Sequence, residues 1–465
     1  MGHDASKGTP RHLGGAWLPA NRDVTAKWLR KLKKAVADNP QELVKPIQDF
    51  KEMVYQDPVL HAQAAAMFAI AAKRETTDPL GQPSVATFEE FLQLLNGIMT
   101  TAPEFYECQD PHTGALEPCG LIGFPINALL DWPMGTAPGY TFFANSLVNQ
   151  QFKKILDYWS EFLVSPESRY VLVEGDPGGT PVVIPWLSKT AKRDMIQVAC
   201  SALGDGGGCR GHETFCDVFH CDPEKPYDGF ESWDDFFTRE FREKQRPIGA
   251  PDDDDVIINA CESAPLRLER VVHKSENFWL KGMPYSLENM LNFEPWTEHF
   301  VGGTVYQAFL SALSYHRWHS PVTGTVKKAY VVNGSYYLEN IYQGFKDHNP
   351  DPDDSAPNNS QAFLTAVATR ALIFIEADNP AIGLMCVMPV GMAEVSSCEI
   401  TVKEGDKVEK GDQLGMFHFG GSTHCLFFRR GVELDFNLYG LTPSITNETN
   451  IRVRTPLAKV KRAGD

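Results

Sequence analysis

Two short segments of this chain hold the residue types that nucleophilic and proton-transfer chemistry needs. Tyr315-His-Arg-Trp-His-Ser-Pro321 sets two histidines three positions apart, and Phe417-His-Phe-Gly-Gly-Ser-Thr-His-Cys-Leu-Phe-Phe428 sets a serine behind two glycines among strand-forming residues. Glycines ahead of Ser422 let the backbone bend until the hydroxyl meets the carbonyl carbon of Gly421. His316 and His319, beside Tyr, Arg and Trp, are candidates for the imidazole that moves the proton. Plainer readings compete: Gly-Gly-Ser-Thr populates any turn, and a buried histidine can be purely structural. Histidines three apart on a helix can also hold a metal, but the Ser-Pro and Val-Thr-Gly-Thr-Val that follow place this pair at the start of a strand.

Other clusters carry less. Cys209, Cys216 and Cys221, with His212 and His220 between them, offer metal ligands but lack the paired Cys-x-x-Cys knuckles that preset tetrahedral zinc geometry. Free thiols in a reducing compartment are the expectation there, with a metal site as the alternative. Gly206-Gly-Gly208 lacks the downstream Lys-Ser/Thr of a phosphate cradle and reads as a flexible joint. The run Asp252 to Asp255 reads as a solvated loop.

The elements that must position the serine and the histidines divide the chain. Residues 1–38 read as a flexible N-terminus and 39–203 as a helical domain: Asn39-Pro40 and Asp57-Pro58 are helix starts, Thr87-Phe-Glu-Glu90 is a capping box, and Phe152, Ile155, Leu156, Trp159, Phe162 and Leu163 form an apolar stripe. Residues 204–255 read as a connector with a helix. From Val256 to the end, short β-branched runs alternate with Gly, Asn, Asp and Pro, so 256–465 is β-rich and the whole is α+β. Within it, Glu399 to Phe417 has the paired Gly-Asp turns of a biotinyl or lipoyl-like barrel-sandwich, without the modifiable lysine of a carrier. Gln343 to Ser360 reads as a long surface loop.

Composition removes several functions. The 465 residues carry 43 Lys+Arg against 60 Asp+Glu, a net charge of −17, which argues against nucleic acid and anionic lipid surfaces as partners. No apolar run is long enough for an integral membrane anchor, and the N-terminus lacks the apolar segment of a signal peptide, so the expected location is cytoplasmic.

In combination, His316-Arg-Trp-His319-Ser-Pro-Val-Thr-Gly, Phe236-Phe-Thr-Arg-Glu-Phe-Arg with Arg246-Pro-Ile, and Phe419-Gly-Gly-Ser422-Thr resemble the phosphatidylserine decarboxylase family of pyruvoyl enzymes, over roughly Tyr227 to the C-terminus. The helical region ahead of this core, with Ala260-Cys-Glu-Ser263 and Phe374-Ile-Glu-Ala-Asp-Asn379, is similar to the fungal offshoot that decarboxylates free aromatic amino acids such as L-tryptophan.

The resemblance implies that Ser422 attacks Gly421 with His319 as base, and that the chain divides there into two fragments that stay associated. The pyruvoyl group built from Ser422 then does the work of pyridoxal phosphate, which this enzyme would not use. His316 is implied as the decarboxylation acid. Where the family has an aspartate to orient the base, this chain has Glu262, whose plain reading is a carboxylate at a strand end. The implied substrate is an aromatic amino acid, with Tyr336 and Tyr337 as candidates to line its slot; strand packing is the alternative for both. A lipid-acting phosphatidylserine decarboxylase and a non-catalytic β-sandwich binding module are the competing functions.

Overall fold

The structure is a computed structural model that describes residues 12–13, 18–19, 21–74, 84–110, 112–175, 180–275, 285–340, 360–394, 397–419 and 422–461. The N-terminal part opens with β1 (His12–Leu13), β2 (Leu18–Pro19), α1 (Arg22–Asp38), α2 (Lys45–Gln56), α3 (Pro58–Arg74) and α4 (Phe88–Ile98). It continues through β3 (Glu104–Gln109), β4 (Leu116–Ile122), α5 (Pro125–Met134), α6 (Ala137–Phe143), α7 (Ser146–Leu163), α8 (Tyr170–Val173), β5 (Val182–Ile184) and α9 (Lys189–Ser201).

Local chemistry sets several of these boundaries. Asp57 Oδ1 accepts the Val59 and Leu60 amides ahead of α3, and Thr87 Oγ1 accepts the Glu90 amide of α4 at 3.1 Å. The Glu90 carboxylate returns to the Ala86 amide, one residue before the cap.

Three expectations need correcting here. Residues 22–38 are no flexible tail, because Val24, Trp28, Leu29 and Leu32 bury one face of α1 in the core. Asn39-Pro40 ends α1 and starts nothing; the proline at the head of α2 is Pro46. The region is also not purely helical, since β3, flanked by β4 and β5, makes a small antiparallel sheet whose Phe105 stacks edge-on to Trp186 at 5.2 Å.

The connecting region holds α10 (Phe215–Val218) and α11 (Trp233–Phe237). Its glycine-rich start is pinned and not a free joint: Leu203 exchanges backbone bonds with Asn450 and Arg452, and the Asp205 amide donates to Thr455 Oγ1 at 2.8 Å. Cys209, Cys216 and Cys221 are not the free thiols expected from the sequence. They form the disulfides Cys200–Cys209 and Cys216–Cys221, with Cα atoms 5.3 and 5.2 Å apart, and Cys108–Cys119 is a third.

The remainder holds three short helices, Leu287–Met290, Thr297–Phe300 and Gln361–Val367, and the strands β6 (Val256–Ile258), β7 (Ala264–Arg270), β8 (Thr304–Leu310), β9 (Arg317–His319), β10 (Gly324–Val332), β11 (Arg370–Ala377), β12 (Leu384–Val390), β13 (Ser397–Ile400), β14 (Lys407–Val408), β15 (Gln413–His418), β16 (Ser422–Phe428), β17 (Leu434–Phe436) and β18 (Pro456–Val460). Seven of these form one antiparallel sheet in the order β14-β10-β11-β12-β16-β8-β7. The expected α+β class holds. Among the described residues no sheet closes into a barrel: the Gly-Asp segment divides between the three-stranded sheet β13-β15-β9 and the edge strand β14. Buried apolar side chains from both halves make one continuous core running from Val24 to Val460. No helix among the described residues is long and apolar enough to cross a membrane.

Candidate active site

Ser422 is the first residue of β16, which lies inside the sheet between β12 and β8, with Ser422 opposite Leu310 and Thr423 opposite Val390. The run Cys425-Leu-Phe-Phe428 is buried on both faces, which holds the strand rigidly. The chain reaches Ser422 from β15 through Phe419, whose φ of 68° is left-handed and turns the backbone out of the strand. Gly420 and Gly421 lie outside the described residues. His418, just before the turn, is held at both ring nitrogens: Nδ1 is 3.0 Å from Asp234 on α11, and Nε2 is 2.8 Å from Glu399 on β13. Trp159 of α7 packs against Phe419 with ring centroids 6.2 Å apart.

The two histidines of the first motif occupy different surroundings, as a three-residue spacing on extended chain requires. His319 ends β9 and is buried. Its Nδ1 is 2.9 Å from the Gly411 carbonyl and its Nε2 3.0 Å from the Tyr315 hydroxyl. The Gly411 carbonyl only accepts, whereas Arg454 Nη2, 3.2 Å from the same Nδ1, only donates; with the proton on Nδ1, toward the shorter contact, Nε2 accepts from Tyr315. Burial, with the Arg454 charge 3.2 Å away, pushes the ring down to about 3, so it is neutral at pH 7. His316 is fully buried and stacks on Phe237 of α11 at 4.0 Å. Burial and then the Arg239 charge push it down to about 3 as well, against hydrogen bonds to the Ser311 and Phe237 backbones.

Register places these rings differently with respect to Ser422. The Phe417 amide donates to the His316 carbonyl beside the turn, whereas His319 lies opposite Gln413 at the other end of β15. Glu262 is not brought to His319. Its carboxylate makes a buried two-pronged pair with Arg246, Nε to Oε2 at 2.9 Å and Nη2 to Oε1 at 2.5 Å, and accepts the Val453 amide at 2.8 Å. Only the backbone of this strand end meets the histidine, as the His319 amide donates to the Ala260 carbonyl at 2.9 Å. The Glu262 carboxylate is taken by Arg246 and Val453, and the contact of His319 Nδ1 is with the Gly411 carbonyl.

Comparison with known proteins decides the family. Two family models described as phosphatidylserine decarboxylase match residues 44–195 and 233–450. The decarboxylase iboD of Amanita muscaria is 41% identical over 80% of this chain and 100% of its own length. The chain belongs to the phosphatidylserine decarboxylase family. The L-tryptophan decarboxylase of Psilocybe cubensis is 34% identical over 91% of this chain and 90% of its own, and phosphatidylserine decarboxylase proenzyme 3 of Schizosaccharomyces pombe is 29% identical over 47% and 21%. This decarboxylase is therefore a carboxy-lyase of a family that works with a pyruvoyl group. The residues present fit such a group, since a serine stands at the head of an internal strand.

Tyr336 and Tyr337 of the decarboxylase are buried where the N-terminal helices meet the sheet, with the Tyr337 ring 4.9 Å from Phe152 and 6.0 Å from Phe143. The loop expected over 343–360 lies outside the described residues except for Ser360, which is buried.

Sequence reasoning missed three groups. His424, on β16 shortly after Ser422, is buried and pushed down to about 3 by that burial. A third histidine in the Ser-Thr-His run was its signal. His418 stood in the quoted motif, but its partners Asp234 and Glu399 are remote in sequence. Glu394, fully buried with its carboxylate accepting the Ile126 and Asn127 amides of α5, carried no local signal.

Proposed function

We propose that this protein matures by self-cleavage at Gly421-Ser422 and decarboxylates free aromatic L-amino acids, L-tryptophan to tryptamine first among them. The serine hydroxyl attacks the Gly421 carbonyl as His319 takes its proton, and an ester replaces the peptide bond. Elimination leaves Gly421 as a free carboxyl terminus, and water then replaces the nitrogen at residue 422 with loss of ammonia. The observation that supports this is the setting of His319: its Nδ1 lies 2.9 Å from the Gly411 carbonyl, and the tautomer that donates there leaves Nε2 as the base. The pyruvoyl carbonyl formed from Ser422 supplies the electron sink that pyridoxal phosphate supplies elsewhere. His316, stacked on Phe237 beside the turn, acts in decarboxylation.

One observation favours a second reading with the histidine roles exchanged, namely that the His316 carbonyl and not His319 pairs with the segment leading to Ser422. The substrate reading draws on the Psilocybe relatives, the net charge of −17, and the aromatic wall of Phe143, Phe152 and Tyr337. It is tested by CO₂ release from L-tryptophan and from phosphatidylserine in detergent, without added pyridoxal phosphate. Release from tryptophan and little from the lipid is expected. The reverse places the protein with the lipid enzymes.

A further inference from the structure

Arg454 belongs to the segment 422–465, on the other side of the proposed division from His319, and the fold brings the two side chains into contact. Arg454 Nη2 is 3.2 Å from His319 Nδ1, and Arg454 Nε donates at 3.1 Å to the Gly411 carbonyl, the oxygen that lies 2.9 Å from the same Nδ1. Guanidinium and imidazole thus share one acceptor.

The backbone of Arg454 is pinned in place. Its φ of 67° is left-handed, its amide donates to the Asn259 carbonyl at 2.9 Å, and its carbonyl accepts the Gly249 amide at 2.8 Å. A non-glycine residue takes that conformation only where its surroundings impose it, so the packed chain and not local preference fixes where this side chain starts. Among the described residues no ion pair involves Arg454. The two carboxylates that bear on neighbouring Tyr315 are committed elsewhere, Glu262 to Arg246 and Glu240 to Arg317 at 3.2 Å. The half-buried cation therefore faces the ring without a counter-charge.

We propose that Arg454 is a positioning residue of self-cleavage, acting through His319 from the nitrogen opposite the one that takes the serine proton. This rests on the reading of His319 as the base. In that step the Ser422 hydroxyl gives its proton to Nε2 as its oxygen bonds the Gly421 carbonyl carbon, and the proton passes to the residue 422 nitrogen as the old C–N bond breaks. Between the two transfers the ring holds two protons and a positive charge, which the guanidinium beside Nδ1 repels. A cation there weakens the base, but it also keeps the ring unprotonated in acid, where an ordinary imidazole would be filled. Burial is the largest cause of the ring's depression, Arg454 the next and Arg317 the last, with the Gly411 carbonyl opposing them; the Tyr315 hydroxyl is the other titratable neighbour.

The test is the rate of self-cleavage of freshly folded full-length precursor, followed from about pH 4 to about pH 8. Arg454→Met and Arg454→Gln remove the charge, and Arg454→Lys keeps it; all three bear the same left-handed backbone as the arginine. At neutral pH the two uncharged variants should cleave about tenfold faster, because the base is stronger. Their acid limb should move to higher pH, so that they fall below wild type in acid and the rate curves cross. Arg454→Lys should follow wild type. Slower cleavage at every pH with no crossing is what a merely structural arginine gives, and it overturns the proposal. The ring is read directly by NMR of isotope-labelled histidine in the uncleaved Ser422→Ala chain, where Arg454→Met or Arg454→Gln should move the His319 titration to higher pH. An unmoved titration overturns the proposal too. A moved titration with unchanged cleavage upholds the hold of Arg454 on the ring and overturns instead the role of His319 as the base.

Discussion

Asp234 holds His418. Both carboxylate oxygens lie within 3.1 Å of Nδ1, and the same short helix stacks Phe237 on His316, so α11 steadies the chain on both sides of the turn that leads to Ser422. Burial opposes a charge on His418, but the hydrogen bonds and charges of Asp234 and Glu399 outweigh it and raise its pKa above the ordinary 6.5. For a group raised on folding, the contribution is full below 6.5 and is lost as pH rises through the raised value. Self-cleavage of freshly folded precursor should therefore slow as pH rises through that raised value. Asp234→Asn should slow it about tenfold at pH 7 and shift that limb to lower pH. A pH profile identical to wild type removes the clamp from maturation.

Maturation itself is read by denaturing mass spectrometry. Wild type should give two chains divided between 421 and 422, and Ser422→Ala a single chain. His319→Ala should block division, whereas His316→Ala should divide at least partly and decarboxylate poorly. The opposite pattern supports the exchanged roles that the Phe417 to His316 bond favours.

The Arg246–Glu262 pair is about 99% buried on both sides. Removing one charge strands the other, so Glu262→Gln should cost about 3 kcal/mol in urea unfolding, more than a surface substitution would. The folded fraction should still self-cleave, because the Glu262 carboxylate bonds Arg246 and Val453 and not His319. Loss of cleavage in material that is fully folded would restore its orienting role.

Alkylating unfolded protein without reductant should label four thiols, Cys261, Cys386, Cys398 and Cys425, and prior reduction should raise this to all ten. Ten labels before reduction would return Cys209, Cys216 and Cys221 to the free state expected from their sequence. Three disulfides also remove the cysteine argument for a reducing, cytoplasmic location.

Much of this protein is legible in its sequence, because the informative features are local. The spacing of Phe152, Ile155 and Trp159 makes α7, Thr87 caps α4, and short β-branched runs make the sheet strands. The proposed nucleophile and its candidate bases sit in contiguous motifs, and these carry the family resemblance. What the tertiary structure alone decides is pairing across distance. Glu262 meets Arg246 instead of His319, Gly411 takes His319 Nδ1, Asp234 reaches His418 from 184 residues away, and Glu394 reaches α5 from 267. None of these contacts has a periodicity or a fixed spacing to betray it. A buried polar group takes whichever partner the packed backbone brings within about 3 Å, and that is set only once the sheet register closes.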